Sequence, residues 1–377
     1  MRVYLDNAAT TAIDKEVWEA MSPYFLEFVG NPSSIHSHGR EVRSAIEKSR
    51  KKIAALLNTS PSEIFFTSGG TEADNMAICS SVETMGIKHA ISSKAEHHAV
   101  LHTLEALAKK GTIELSFVNL DEKGNLDMNH LEELLAQNPK SLVSLMHANN
   151  EIGNIYDINA IGNLCREHSA IFHSDTVQAM GHYTHDVSSD IHDFIVGAAH
   201  KFHGPKGAGF LYINHRNKLN PLIHGGSQER NMRGGTENVA GIVGLSKALE
   251  IAYRDMDADR KYIEGLKKRM IASLNDKIPG VTFNGESENL DKSLYTVLNV
   301  SLPESDDNDM LLFGLDIKKI SVSGGSACTS GTDIGSHVLT AIGANPKRGA
   351  IRFSFSKFTT MEEIDYTIDC LSEIINK

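Results

Sequence analysis

Between about residue 40 and residue 215 the chain alternates two apolar periodicities. Apolar residues three and four apart predict amphipathic helices over 41–57, 71–85, 97–110, 129–137 and 159–168. Between them stand short apolar runs of strand length at 63–67, 89–92, 113–118, 141–146, 170–173, 191–196 and 209–213. Short buried strands alternating with helices predict a mostly parallel sheet covered by helices. Residues 1–6 read as one more short strand.

The pattern changes after Val239. A long helical stretch rich in Lys, Arg and Glu runs to about Asp276. Strands near Val281 and at 296–300 follow, then a helix near 308–314, a strand at 350–355 and a final helix at 361–375. The expected fold is α/β: a large domain over 14–255 with a mostly parallel mixed sheet, and a smaller α+β domain from 1–13 and 256–377. The boundary falls inside the long helix. No internal repeat, low-complexity tract or Pro-rich linker interrupts this order.

Of the 377 residues, 41% are hydrophobic and 23% charged, the balance of an ordinary globular chain with ample length for two cores. A net charge of -11 disfavours direct nucleic-acid binding, which needs a basic footprint. No run approaches the roughly 18 apolar residues of a membrane span, and no secretory pattern opens the chain. A cytoplasmic protein is expected. The four cysteines are far apart and follow no CxxC spacing, which favours free thiols over disulfides or a zinc site. Cys79, Cys165 and Cys370 fall in helical periodicity and read as small buried hydrophobes. Cys328 does not. Nine of the sixteen residues from Ser321 to Ser336 are Ser or Gly, a composition that resists both helix and strand.

Several motifs could carry chemistry. Ser68-Gly-Gly-Thr71 joins a strand to a helix; Gly70 and Thr71 could cradle a phosphate at the helix start, although a tight turn with a Thr cap has the same composition. Asp175 ends an apolar strand, where α/β sheets bind ligands. Lys201 stands between an apolar strand and the turn Gly204-Pro-Lys-Gly207, a place where partial desolvation makes an amine a usable nucleophile. Cup, acid and lysine in that order are what a pyridoxal phosphate (PLP) site requires. His97 and His98 start a helix. Neighbouring helical residues point about 100° apart, so the two do not converge on a metal; no metal site is expected. Asn150 closes a polar turn after a strand. The arm from Gly225 to Asn238 holds Arg230, Arg233 and Thr236. Arg352 lies in an alternating strand, free to clamp a carboxylate or to pair with a nearby acid.

These residues resemble the cysteine desulfurases of the NifS/IscS type, within the class V aminotransferase group of fold-type I PLP enzymes. The resemblance spans essentially the whole chain. It rests on Tyr4-Leu-Asp-Asn-Ala-Ala-Thr-Thr11, Gly30-Asn-Pro-Ser-Ser34, Thr67-Ser-Gly-Gly-Thr-Glu72, His147-Ala-Asn-Asn-Glu-Ile-Gly153, His200-Lys201, Gly204-Pro-Lys-Gly207 and Ser326-Ala-Cys328-Thr-Ser. It implies conversion of L-cysteine to L-alanine, with the sulfur passed to Cys328 as a persulfide for iron–sulfur cluster assembly or other thiolation. Lys201 would bind PLP and move the Cα proton, Asp175 would pair with the pyridine nitrogen, and His97 would lie on the ring. Gln178 and Asn150 would contact the ring oxygen region. Gly70, Thr71 and His200 would hold the phosphate, with Thr236 reaching it across a homodimer interface. Arg352, with Asn31, would bind the substrate carboxylate. A sulfur-acceptor or scaffold protein would be the partner. Where the family often has Ser-x-His-Lys this chain has Ala198-Ala-His200-Lys201, one hydroxyl fewer at the phosphate. Selenocysteine lyase, or a related PLP lyase or aminotransferase, is the nearest alternative activity. A non-catalytic sulfur-relay scaffold is the alternative of another class.

Overall fold

A computed structural model describes residues 1–305, 308–324 and 335–375. Cys328 lies outside the described residues. The chain enters as β1 (Val3–Tyr4), then α1 (Lys15–Met21), α2 (Pro23–Leu26) and α3 (Ser37–Leu56). The alternating region follows: β2 (Ile64–Thr67), α4 (Gly70–Met85), β3 (His89–Ser92), α5 (His98–Lys109), β4 (Glu114–Phe117), α6 (Met128–Gln137), β5 (Leu142–Ser144), α7 (Ile158–Glu167), β6 (Ile171–Asp175), β7 (Phe194–Ala198) and β8 (Gly209–Ile213). After α8 (Val239–Lys277) come β9 (Thr282–Phe283), β10 (Val297–Glu304), α9 (Leu311–Ile317), β11 (Ile320–Ser321), α10 (His337–Ala341), β12 (Arg348–Ser354) and α11 (Met361–Ile375).

Strands β2 to β8 form one seven-stranded sheet in the order β2-β8-β7-β6-β5-β3-β4. Strand β8 runs antiparallel to both its neighbours, and every other pair is parallel. The reversal follows from connection length, since the short link from β7 to β8 cannot make a parallel crossover. Strands β2, β3, β5, β6 and β7 therefore all point their carboxyl ends to the same edge. The expected mostly parallel, helix-covered sheet is present.

Among the element limits that differ from the sequence reading, two have a plain structural reason. Helix α3 begins at Ser37, four residues earlier than its apolar period, because the His36 Nδ1 accepts from the Gly39 N–H and caps the end. Strand β7 runs on through Gly197 and Ala198, which carry no strand signal of their own, because they pair with Phe210 and Gly209. A Cβ at Gly197 would stand 2.2 Å from the Phe210 ring.

Helix α8 spans 39 residues and serves two cores. Leu245, Ala248 and Leu249 pack with Ile195, Phe210 and Tyr212 of the large sheet. Ile263, Leu266, Met270 and Leu274 pack instead with Val3, Leu5, Leu298, Ile351 and Ile368. The second core covers the antiparallel sheet β12-β10-β9, and beside it β1 pairs with β11 in parallel.

Candidate active site

The carboxyl edge of the large sheet opens into a cavity of about 280 Å³. Five strand ends deliver its walls. Gly70 and Thr71 follow β2, His97 follows β3, Met146 follows β5, Asp175 ends β6 and Lys201 follows β7. Asp74, Asn150, Gln178, His200 and Arg352 complete the polar lining.

Lys201 closes a 3-10 turn directly after β7. Its Nζ donates to the carbonyl oxygens of Ala8 (2.5 Å) and Ala9 (2.9 Å). The same N-terminal segment secures the turn. The Thr11 N–H and hydroxyl donate to the His200 carbonyl at 2.9 and 3.0 Å, and the His203 N–H donates to Thr11 Oγ1 at 2.9 Å. Gln178 Nε2 donates to the Ala8 carbonyl at 3.0 Å. Sequence positions 8–11 and 200–203 thus form one block under the amine.

Asp175 is 7% exposed, and its Oδ1 accepts from the Val177 N–H at 2.9 Å. Ligand-capable atoms of Asp74, His97 and Asp175 all lie within 4.8 Å of one another. Burial, then the charges of Asp175 and Glu96, hold the Asp74 carboxyl well above the usual range. Behind it, His173 Nε2 stands 3.3 Å from Asp74 Oδ1, and its Nδ1 meets Ser144 Oγ at 2.8 Å. Burial keeps that imidazole neutral, down to about 3. Burial also lowers His97, against the opposing pull of Asp175, and lowers His200 to about 4. The His97 Nδ1 caps α5 by accepting from the Ala99 N–H at 3.2 Å, which fixes its ring at the cavity wall. With Nδ1 accepting, the neutral imidazole carries its proton on Nε2, which is then a donor.

Arg352 is 1% exposed. Its Nη1 donates to the Asn150 carbonyl at 3.0 Å and its Nη2 to Asp6 Oδ1 at 2.8 Å, while its Nε has no partner among the described residues. The sequence offered a carboxylate clamp or an ion pair, and the pair is present.

Nine of the residues singled out from sequence therefore meet in one cavity: Gly70, Thr71, His97, Asn150, Asp175, Gln178, His200, Lys201 and Arg352. Asn31 and Thr236 do not join them. Asn31 is exposed in the loop before α3, where its Oδ1 accepts from the Ser33 N–H. Thr236 is exposed at the mouth of a separate cavity, with Glu229 and Arg233. Asp6 and Asp74 went unassigned from sequence. Asp74 lies three residues beyond Thr71 as one acid on a helical period, and burial is what sets it apart.

A lysine, a carboxylate and an open helix start converging on the carboxyl edge of a mostly parallel sheet define a cofactor-dependent α/β enzyme. The chain belongs to the class-V aminotransferase family, whose model matches residues 3–367. It is 45% identical to the cysteine desulfurase IscS of Dictyoglomus turgidum, covering 100% of this chain and 95% of that one. It is 42% identical to the cysteine desulfurase IscS of Methanosarcina thermophila, covering 100% and 92%. A solved NifS-like protein superposes with a TM-score of 0.91 at 37% identity over the full length of both chains. The family is a PLP-dependent group, and the donor set here fits that cofactor. Lys201 offers the amine and Asp175 the carboxylate. No side chain caps α4, which leaves its first N–H groups and the Thr71 hydroxyl for an anion. Only a residue without Cβ gives close approach at Gly70, where a Cβ would stand 2.9 Å from Val177 Cγ2.

Proposed function

We infer that this protein is a PLP-dependent cysteine desulfurase. L-cysteine and the Cys328 thiol give L-alanine and a Cys328 persulfide, the sulfur moving from the substrate Cβ to the enzyme thiol. The observation that carries this reading is the convergence of Lys201, Asp175, His97 and Arg352 on one cavity in a class-V chain. PLP, when bound, supplies the electron sink that weakens the substrate Cα–H and Cβ–S bonds. Lys201 would hold the cofactor and move the Cα proton at its Nζ. Asp175 would hold a proton on the pyridine nitrogen. His97, at the cavity wall, would help hold the ring and exchange a proton with the substrate. Gly70, Thr71 and His200 would hold the phosphate, and Gln178 and Asn150 would orient the ring oxygen. Arg352 binds the substrate carboxylate, aided by Asn31. Cys328 supplies the thiolate that attacks sulfur.

Exposed Thr236, outside the cavity of its own chain, is assigned to the phosphate of a second copy in a homodimer. The domain division near residue 255 is supported by the two cores served by α8. No helix among the described residues is long and apolar enough to cross a membrane. A cytoplasmic setting, with sulfur delivered to an acceptor or scaffold protein for iron–sulfur assembly, completes the reading.

Replacing Cys328 with Ser tests it. The variant should retain PLP and bind L-cysteine, while alanine formation and persulfide labelling fall at least a hundredfold. Alanine and sulfide production at the parent rate would reject the assignment and favour a PLP lyase that needs no thiol.

A further inference from the structure

Arg352 is held by a carboxylate that belongs to the chain itself. Asp6 lies just after β1, and its Oδ1 takes two bonds, from Arg352 Nη2 at 2.8 Å and from the Ser323 hydroxyl at 2.9 Å. Ser323 is bound to the arginine a second way, through the backbone. The Arg352 N–H donates to the Ser323 carbonyl at 2.6 Å, and the Ser323 N–H donates to the Arg352 carbonyl at 3.3 Å. Asp6, Ser323 and Arg352 are therefore one knot, tied where β1, β11 and β12 meet. From Ser323 the chain leads on to Cys328.

Arg352 also lines the cavity. It is 1% exposed, and its Nε has no acceptor among the described residues. A buried donor without a partner costs about 1–3 kcal/mol, so a rearrangement that brings it an acceptor is favoured. A second carboxylate arriving on the same guanidinium also meets the charge of Asp6, and like charges at that range oppose each other.

We propose that Asp6 is a positioning residue that holds Arg352 in the resting site, yields it to the carboxylate of the amino-acid substrate, and passes the exchange to Ser323. Substrate recognition is thereby coupled to the strand that leads to the reactive cysteine. The proposal rests on Arg352 as the carboxylate site. It assigns to Asp6 a role in setting substrate affinity, and to Ser323 a role in relaying occupancy.

The test uses PLP-loaded enzyme carrying Cys328→Ser, so that bound amino acid is not turned over. L-alanine is titrated against the absorbance of the cofactor, with ethylamine as a probe that lacks the carboxylate. Adding Asp6→Asn should tighten L-alanine about three- to tenfold, the size of one partly shielded charge interaction, and leave ethylamine unchanged. Hydrogen exchange over residues 320–324 should rise on L-alanine binding in the parent, and should no longer respond in Asp6→Asn or Ser323→Ala. If Asp6→Asn folds poorly, the L-alanine-induced rise in Tm, measured against its own ligand-free melt, should still exceed that of the parent. Unchanged or weaker L-alanine binding in Asp6→Asn, or equal gains for both probes, would overturn the proposal. Arg352→Gln separates the two levels: if it leaves L-alanine affinity intact, the carboxylate site itself is misassigned, whatever Asp6 does.

Discussion

Lys267 is a lysine with no exposed surface, in the middle of α8 at the base of the second core. Its Nζ donates to Ser293 Oγ and to the Leu294 carbonyl, both at 2.8 Å. Burial pushes its amine down to about 7, only weakly opposed by Glu264. The unfolded chain keeps that proton to about pH 10.5. Across the window from about 7 to 10.5 the unfolded state binds more protons, so stability rises with pH. At about 1.4 kcal/mol per pH unit, the whole window is worth about 4–5 kcal/mol, all of it missing at neutral pH. Lys267→Met removes that deficit and leaves the Leu294 carbonyl with the Val297 N–H at 3.3 Å as its donor, so the lost bond costs only about 1 kcal/mol. Ser293 is less affected, since its hydroxyl already donates to the Asn289 carbonyl at 2.6 Å. The variant should therefore be about 3–4 kcal/mol more stable than the parent near pH 7, and the difference should vanish by about pH 10. Urea unfolding of the PLP-loaded pair at pH 7, 8.5 and 10 measures this directly. Comparing variant with parent cancels every other group that titrates in the window. A stability difference that stays constant with pH would refute the reasoning, because it would mean that Lys267 keeps its proton in the folded protein.

Glu229→Ala should cost about 3 kcal/mol, read as a lower Tm, because it takes the two-bond partner from a buried guanidinium and leaves it Glu47 Oε1 at 3.2 Å and the Ile64 carbonyl; Arg50 and Glu229 are each 3% exposed and bonded at 2.7 and 2.8 Å, and Glu229 also accepts from the Phe66 N–H. A melt within about 1 kcal/mol of the parent would show that the pair is not isolated from water. Gly70→Ala should weaken PLP binding about tenfold with little loss of fold, since its Cβ must displace Val177 at the cup; equilibrium dialysis of the cofactor reads it. Gly265→Ala is the matched control, because a Cβ there meets nothing within 4 Å, and it should stabilise α8 by about 0.5–1 kcal/mol while leaving PLP affinity alone.

What could be read from sequence depended on whether the signal was local. The order of strands and helices was legible because each carries its own period, and Asp175 and Lys201 stood out because both sit where such a strand stops. Residues whose setting comes from distant chain were not legible. The end of β7 depends on Phe210 filling the space above Gly197, and the upward shift of Asp74 depends on burial beside Asp175 and Glu96. Asp6 is the clearest case. In a strand-like hexapeptide it reads as one polar residue, yet Arg352 lies 346 positions away along the chain. The sequence left two readings of Arg352, substrate clamp or ion pair, as though one excluded the other. A guanidinium carries five N–H donors. The fold commits one to Asp6 and one to Asn150, and it buries Nε without an acceptor among the described residues. A guanidinium paired with Asp6 is neutralised at rest, and because Arg352 also lines the cavity it stays next to an incoming carboxylate, so the two readings do not exclude each other.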